Sequence, residues 1–427
     1  MFSSVDEHLS ALYRLRRFGI QLGLATISRL MRGLGNPQDC YPCIHVAGTN
    51  GKGSIAAFLS SVLAQGGYKV GLYTSPHLVR FNERIQINGR PISDRDVARA
   101  AEAVQQIYTQ GEPPTFFECA TAMALHHFAS AKVDWAVLET GMGGRYDATN
   151  VVHPKVCIIS NISMEHTEYL GSTLASIAAE KAGIIKSGAG VVTGTRQKKA
   201  LQIIEQAASE RAVPLLRMGK EIRIRKKGGS SFSYLGRRQR WPRLEVGLMG
   251  DHQMTNAGLA LGALELLLDD GLSVSEKAIR TGLASVHWPG RLEVVSEDPL
   301  VLLDGAHNPS AVRTLTTFLR NGMAARRIIL VLGILQDKAW KPMLRELAGV
   351  ADRMIITRPQ YERAADPEVL AAFVRSIRQE LRVVSHLPDA VSLALDEARR
   401  GDLVCITGSL YTVGEAKAYL ETRHAAR

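Results

Sequence analysis

No apolar run in the 427 residues approaches the roughly 18 that a membrane-spanning helix requires, so no span is predicted. The first segment, MFSSVDEHLSALYRLRRFGI, carries Asp6 and Glu7 and lacks the long apolar core of a signal peptide, which predicts a cytoplasmic protein. Cysteine is scarce. Of five, Cys40 and Cys43 form a C-x-x-C, but no second pair completes a zinc site. The pair also precedes a strand instead of opening a redox helix, so ordinary reduced thiols are expected. Aromatics make up 6% of the chain, too few and too scattered to interleave with the basic residues behind its net charge of +11. Nine Lys or Arg fall between Lys220 and Arg243, yet no nucleic-acid-binding motif accompanies them. That stretch reads as an exposed basic hairpin of two short strands around Gly228-Gly229, and nucleic acid is not an expected partner. Neither an internal repeat nor a low-complexity tract is present.

The chain is too long for one ordinary core and predicts two domains or three. Strand patterns at Ile44–Ala47, Lys69–Tyr73, Trp135–Glu139, Val156–Ser160 and Gly190–Thr193 alternate with helical stretches at Ser54–Leu63, Asp94–Ile107 and Phe117–Ala129. Such alternation predicts an α/β fold with a parallel sheet, and ligands beyond the carboxyl ends of its strands. After the breakers Pro289 and Gly290 a second alternation begins, at Leu300–Leu303, Arg327–Leu332, Met354–Thr357 and Leu403–Thr407. The expected organisation is a P-loop-containing ATPase domain, 1–289, and a smaller Rossmann-like α/β domain, 290–427.

The chemistry-bearing residues follow strands. In HVAGTNGKGS, Asn50, Gly51, Lys52, Gly53 and Ser54 stand where a strand turns into a helix, as a phosphate loop does. The spacing departs from G-x-x-x-x-G-K-[ST], because Gly53 separates Lys52 from Ser54. Glu139 ends a strand ahead of TGMGGRYDATN, a position suited to a divalent cation. His166 follows the next strand, either as a metal ligand or as a hydrogen-bonding residue in a polar loop. Lys181 shares a helical face with Leu174, Ile177 and Ala178 at i, i+3, i+4 and i+7. Desolvation there favours a neutral amine able to take up CO₂ as a carbamate; a salt bridge or a snorkelling stem are the alternatives. In the second domain Asp304, His307 and Asn308 follow a strand, with Arg291 near the joint; Asp304 and Arg291 read equally as a structural ion pair.

HVAGTNGKGS, TSPHLVRFNERIQING, ETGMGGRYDATN, EHTEYLGSTLASIAAEKAGI, PGRLE, LDGAHNP and ITGSLYTVGE occur in the order seen in folylpolyglutamate and dihydrofolate synthases, and the chain resembles that family from about Phe18 to about Ala416. These are ATP-dependent amide-forming enzymes of the Mur ligase superfamily, and the resemblance implies a Mur central-domain type of ATPase fold. It further implies that Asn50–Ser54, Asn256, Arg291 and Asp304 bind ATP, and that Ser75, Glu139 and His166 bind magnesium. Carbamylated Lys181 would support a second magnesium site, and a monovalent cation is a further expectation without assigned residues. Ser75, from the next strand end, would take the metal role that the loop hydroxyl has elsewhere. Thr115, Phe116, Phe117, Glu118, Tyr146, Asp147 and Ala148 would face the pterin or folate, and His307 and Ser409 the incoming glutamate. Glu165 stands where the family has Asp, so no ligand role is carried over to it.

The reaction so implied is carboxylate activation by ATP to an acyl phosphate, followed by attack of L-glutamate, with Lys52, Lys181 and His307 as catalytic residues. The expected substrates are dihydropteroate and reduced folates, with a bifunctional enzyme of bacterial type that acts as a monomer. The alternatives are a monofunctional folylpolyglutamate synthase, a Mur-type ligase of cell-wall precursors, and a nonenzymatic nucleotide- or nucleic-acid-binding module.

Overall fold

The computed structural model describes residues 5–19, 21, 23–108, 113–323, 326–377 and 380–425. Two compact units emerge, neither of them continuous in sequence. The first takes Met1–Pro76, Phe81–Gly247 and Gln253–Val286; the second takes His77–Arg80, Leu248–His252 and His287–Arg427.

In the first unit an eight-stranded sheet is built from β1 (Cys43–Ala47), β2 (Val70–Tyr73), β3 (Ile85–Ile87), β4 (Arg90–Pro91), β5 (Trp135–Glu139), β6 (Val156–Ile159), β7 (Gly190–Thr193) and β8 (Leu215–Arg217). Their order is β4-β3-β2-β5-β1-β6-β7-β8, and every pairing is parallel except β2–β3 and β3–β4, the short β3 running against the rest. Strands β1, β2, β6 and β7 are buried along their whole length, which is why they read as unbroken apolar runs. The helices Lys52–Gln65 and Phe116–Ser130 are buried on most sides. The helix Asp94–Tyr108 instead buries only the stripe Val97, Ala100, Ala101 and Val104. Strand β1 lies between β5 and β6, where the connections part to opposite sides of the sheet. A ligand-binding crevice in an open α/β sheet forms at such a point.

One expectation needs correction. The basic stretch is not a two-stranded hairpin but a three-stranded antiparallel sheet of β9 (Arg223–Gly228), β10 (Ser231–Leu235) and β11 (Arg240–Glu245). Pro242 disguised β11, and an edge strand tolerates proline because its outward N–H needs no partner. Nor is the sheet exposed on both faces. Phe232, Tyr234, Trp241 and Leu244 are buried. The buried Glu265 accepts the Tyr234 hydroxyl at 2.7 Å and the amides of Arg238 and Gln239, tying this sheet to the helix Asp251–Asp269.

The second unit is a six-stranded sheet of β12 (Glu293–Glu297), β13 (Leu300–Asp304), β14 (Ile328–Leu332), β15 (Arg353–Arg358), β16 (Leu381–His386) and β17 (Leu403–Thr407), in the order β12-β13-β17-β14-β15-β16. Only β12 is antiparallel. The four inner strands are the ones legible as apolar runs; β12 and β16 are edge strands, half exposed and polar. Among the described residues no helix is long and apolar enough to cross a membrane.

Candidate active site

Strand β1 ends at Ala47, and the chain then turns through Gly48-Thr49-Asn50-Gly51 into the helix Lys52–Gln65. Gly48 has φ +138°, and a Cβ there would lie 1.9 Å from the Ser160 hydroxyl, so only glycine fits. The residues after β6 hold the loop. The Asn50 carbonyl accepts Ser160 Oγ at 2.6 Å and Asn161 Nδ2 at 2.9 Å, while its amide donates to Asn161 Oδ1 at 3.1 Å. Lys52 Nζ curls back onto the carbonyls of Gly48 and Thr49. Ser54 is buried in the first helical turn. Asn256, from the helix Asp251–Asp269, sits against Gly51, where an added Cβ would come within 2.5 Å of its Oδ1. Sequence reasoning missed Ser160 and Asn161; the signal for them is the polar Ser-Asn-Ile-Ser that abruptly follows an apolar strand.

Ser75 and Glu139 lie at the ends of the adjacent strands β2 and β5, and the Ser75 amide donates to Glu139 Oε2 at 3.2 Å. Beside them Thr140 Oγ1 is buried without a hydrogen-bond partner. His166 adopts φ +47°, uncommon for a residue with a Cβ. Among the described residues no three His, Cys, Asp or Glu side chains gather as a metal cage. The Glu139 carboxylate and the Ser75 hydroxyl are oxygen donors of the kind magnesium takes, its other positions going to phosphate and water oxygens.

Lys181 is 1% exposed, as its helical spacing predicts. Its Nζ donates to Glu165 Oε1 at 2.7 Å and to the Gly48 carbonyl at 2.9 Å. Burial lowers the Lys181 pKa, and Glu165 opposes that shift. Burial would raise Glu165, but Lys181 and Lys52 outweigh it and bring it down to about 2. Of the alternatives open to Lys181, the structure contains the salt bridge, and Glu165, passed over as a ligand, is the partner.

The pterin candidates fall into two segments. Thr115 caps the helix Phe116–Ser130 in a reciprocal capping box with Glu118, so the polar atoms of both are engaged with each other. Phe116 stacks on Tyr13 with centroids 5.7 Å apart, and the Arg16 and Arg84 guanidiniums lie near its ring. Phe117 packs on the backbone of Gly141, where a Cβ would meet its ring at 2.5 Å. The helix start and the glycine loop after β5 are therefore brought together. In that loop Tyr146 is exposed while Asp147 and Ala148 are buried. Asp147 accepts Met142 N at 2.8 Å, Thr149 N at 3.1 Å and Thr149 Oγ1 at 2.5 Å. Asn150 Nδ2 bonds the carbonyls of Arg145 and Gly183, and Lys186 Nζ those of Asn150 and Val152.

In the second unit Asp304, at the end of β13, accepts Leu292 N and Ala306 N, both at 3.0 Å. Burial raises its pKa, and the Arg291 guanidinium works against this. Arg291 lies over Gly305, where a Cβ would be 2.6 Å from its Nη1. His307 Nδ1 is 2.8 Å from the Gly305 carbonyl, which puts the proton of the neutral ring on Nδ1. Ser409 is buried, and its Oγ accepts Thr412 N at 3.0 Å at the head of the helix Leu410–Ala425.

Known proteins share this sequence pattern and fold. Residues 46–264 match the Mur ligase middle domain and 290–410 the Mur ligase glutamate ligase domain. The chain is 37% identical over 444 residues to the dihydrofolate synthase/folylpolyglutamate synthase of Bacillus subtilis, covering 99% of this chain and all of that protein. It belongs to the dihydrofolate synthase/folylpolyglutamate synthase family of Mur ligases. Family members are ATP-dependent amide-forming ligases. Among solved family structures, Escherichia coli FolC in complex with DHPP and ADP is 33% identical with a TM-score of 0.91, covering 99% of both chains. The bifunctional enzyme from Yersinia pestis, complexed with AMPPNP and a manganese ion, is 32% identical with a TM-score of 0.87, covering 98% of both.

Proposed function

We propose that this chain joins L-glutamate to dihydropteroate and to the γ-carboxylate of reduced folates, using ATP and divalent metal, with residues 1–289 carrying the pterin and most of the ATP site and 290–427 supplying Arg291, Asp304, His307 and Ser409. The observation that carries the reading is the anchored loop Gly48–Lys52, which presents the start of a 14-residue helix at the switch point of the sheet.

The phosphates of ATP take the amides of Asn50–Ser54 and the positive end of the helix dipole. Lys52 leaves the loop carbonyls to meet a phosphate, and Asn256 flanks the nucleotide. Ser75, Glu139 and His166 would hold magnesium, which would supply charge to offset the repulsion between the substrate carboxylate and the γ-phosphate. Attack of the carboxylate on that phosphate gives an acyl phosphate and ADP. Arg291 and Asp304 orient the nucleotide from the second domain. Ser409 and His307 position the glutamate, and His307 takes the proton that its ammonium must lose before the nitrogen attacks the acyl carbon and releases phosphate. The pterin lies against Thr115–Glu118 and Tyr146–Ala148. The buried free cysteines Cys43, Cys119, Cys157 and Cys405 accord with a reducing cytoplasm.

ADP formation that requires both dihydropteroate and L-glutamate, and a second activity on a reduced folate monoglutamate, is the expected result. Lys52→Ala is expected to lower turnover about 10²–10³-fold. Activity on one acceptor alone reduces the reading to a monofunctional synthase, and turnover only with a UDP-muramyl acceptor overturns it.

Carbamylation of Lys181 is the finer part of the proposal, and its burial supports it. The modification requires Glu165 to release the ammonium, since a carbamate beside that carboxylate is stable only with a cation between them. Crystals grown with magnesium and bicarbonate should show the carbamate in electron density; an ammonium still paired with Glu165 removes this part.

A further inference from the structure

His45 is the one polar side chain in the buried strand β1, and it lies three residues before Gly48, where the phosphate loop begins to turn. Its Nε2 is 2.7 Å from Thr149 Oγ1, which is in turn 2.5 Å from Asp147 Oδ1. The hydroxyl of Thr149 has a single proton. Both Asp147 oxygens face backbone N–H donors, Oδ2 that of Met142 and Oδ1 that of Thr149, so Asp147 is the acceptor; Thr149 donates to it and must itself accept from His45. The imidazole is therefore the Nε2–H tautomer, and Nδ1, fully enclosed, has no hydrogen-bond partner. Enclosure also keeps the ring neutral, pushing its pKa down to about 3. Protons are thus donated in one direction along a line that starts beneath the phosphate loop and ends at the carboxylate gathering Met142 N and Thr149 N into one loop.

We propose that His45 is a positioning residue for the acceptor substrate: through Thr149 it fixes the Asp147 carboxylate, and so the face that the exposed Tyr146 presents to the pterin. This rests on the assignment of that face to the pterin. The strand, the phosphate loop and the helix Lys52–Gln65 do not depend on the imidazole for any backbone hydrogen bond. Loss of its donor therefore acts on the pterin loop and spares the nucleotide.

The test separates the two ligands. His45→Leu keeps the bulk and deletes the donor, and should raise the KM for dihydropteroate about tenfold while the Kd for ADP stays within twofold. His45→Gln places an amide N–H near the Nε2 position and should restore the KM to within about threefold of the original. Thr149→Val should match His45→Leu, and the double variant should add nothing further, because both cut the same chain. In the unaltered protein, ¹⁵N spectra of the His45 ring should show the Nε2–H tautomer at pH 7. Parallel loss of pterin and nucleotide affinity, failure of glutamine to rescue, or an Nδ1–H tautomer overturns the proposal. If the unaltered protein does not use dihydropteroate at all, the parent assignment fails instead, and the tautomer still reports whether the hydrogen-bond chain exists.

Discussion

Asp147 and Asp304 are both buried, both follow a strand of a parallel sheet, and both have pKa values raised by burial. They are held differently. Asp147 is surrounded by neutral donors, two from Thr149 and one from Met142, with His45 behind them. Asp304 accepts two backbone amides and faces the guanidinium of Arg291. A carboxylate held by fixed dipoles is an anchor for its own loop, while one that also faces a guanidinium can share that cation with a ligand. The glycine loop after β5 is thereby built as a rigid wall, and the Asp304–Arg291 pair as an adjustable contact.

The largest effect expected from this contrast is on stability. Asp147→Asn turns an amide group toward donors that have no other acceptor, and should cost about 2–3 kcal/mol. Asp304→Asn loses one acceptor and relieves a buried charge, and should cost about 1–2 kcal/mol. Its larger effect should fall on turnover, through Arg291. Urea unfolding of both variants gives the comparison directly; a greater stability loss at Asp304 would reverse the roles assigned to the two loops.

How much of this was legible in the sequence follows from where each signal lives. The inner strands of both sheets are buried on two faces and declare themselves as apolar runs, and the burial of Lys181 follows from helical spacing alone. Its partner Glu165 does not, because the pair joins a loop to a helix and no periodicity connects them. Strands β11 and β12 were hidden for a related reason: edge strands need only one apolar face, and Pro242 breaks what pattern remains in β11. Asp147 was expected beside the site from its motif, but its grip on Met142 and Thr149 depends on a loop conformation that composition does not encode. The trace of His45 was present all along, a single polar residue in the middle of Cys-Ile-His-Val-Ala.

Acid sharpens the comparison at the next level. The pKa of His45 is lowered by burial to about 3, and that of His252, beside Arg291, by burial and by that cation to about 4. From pH 6.5 downward the unfolded chain takes up a proton that each folded site refuses. Stability therefore falls with falling pH, by up to ~1.4 kcal/mol per unit for each histidine. For His252 the loss ends near pH 4, and for His45 it continues to about pH 3. Denaturant midpoints at pH 7, 5 and 3.5 should show His45→Gln with the shallower slope throughout. His252→Gln should regain the slope of the unaltered protein below pH 4. Identical slopes for both variants at pH 3.5 would mean that the glycine loop after β5 is no better shielded than the Arg291 contact.

The smallest effect concerns the rim of the glycine loop. Arg145 Nε and Glu180 Oε1 form a partly exposed pair at 3.3 Å, on the outer side of the loop that Asp147 holds from within. Exposed pairs contribute about 0–1 kcal/mol. The backbone bond from Arg145 N to the Glu180 carbonyl, at 2.8 Å, does not involve the carboxylate and survives its removal. Asn150 and Lys186 also hold the same segment from inside. Glu180→Ala should therefore leave the urea midpoint within about 0.5 kcal/mol of the original and leave dihydropteroate affinity unchanged. A loss as large as that of Asp147→Asn would mean that the wall is held by its surface ion pair, and that the buried carboxylate merely fills space behind it.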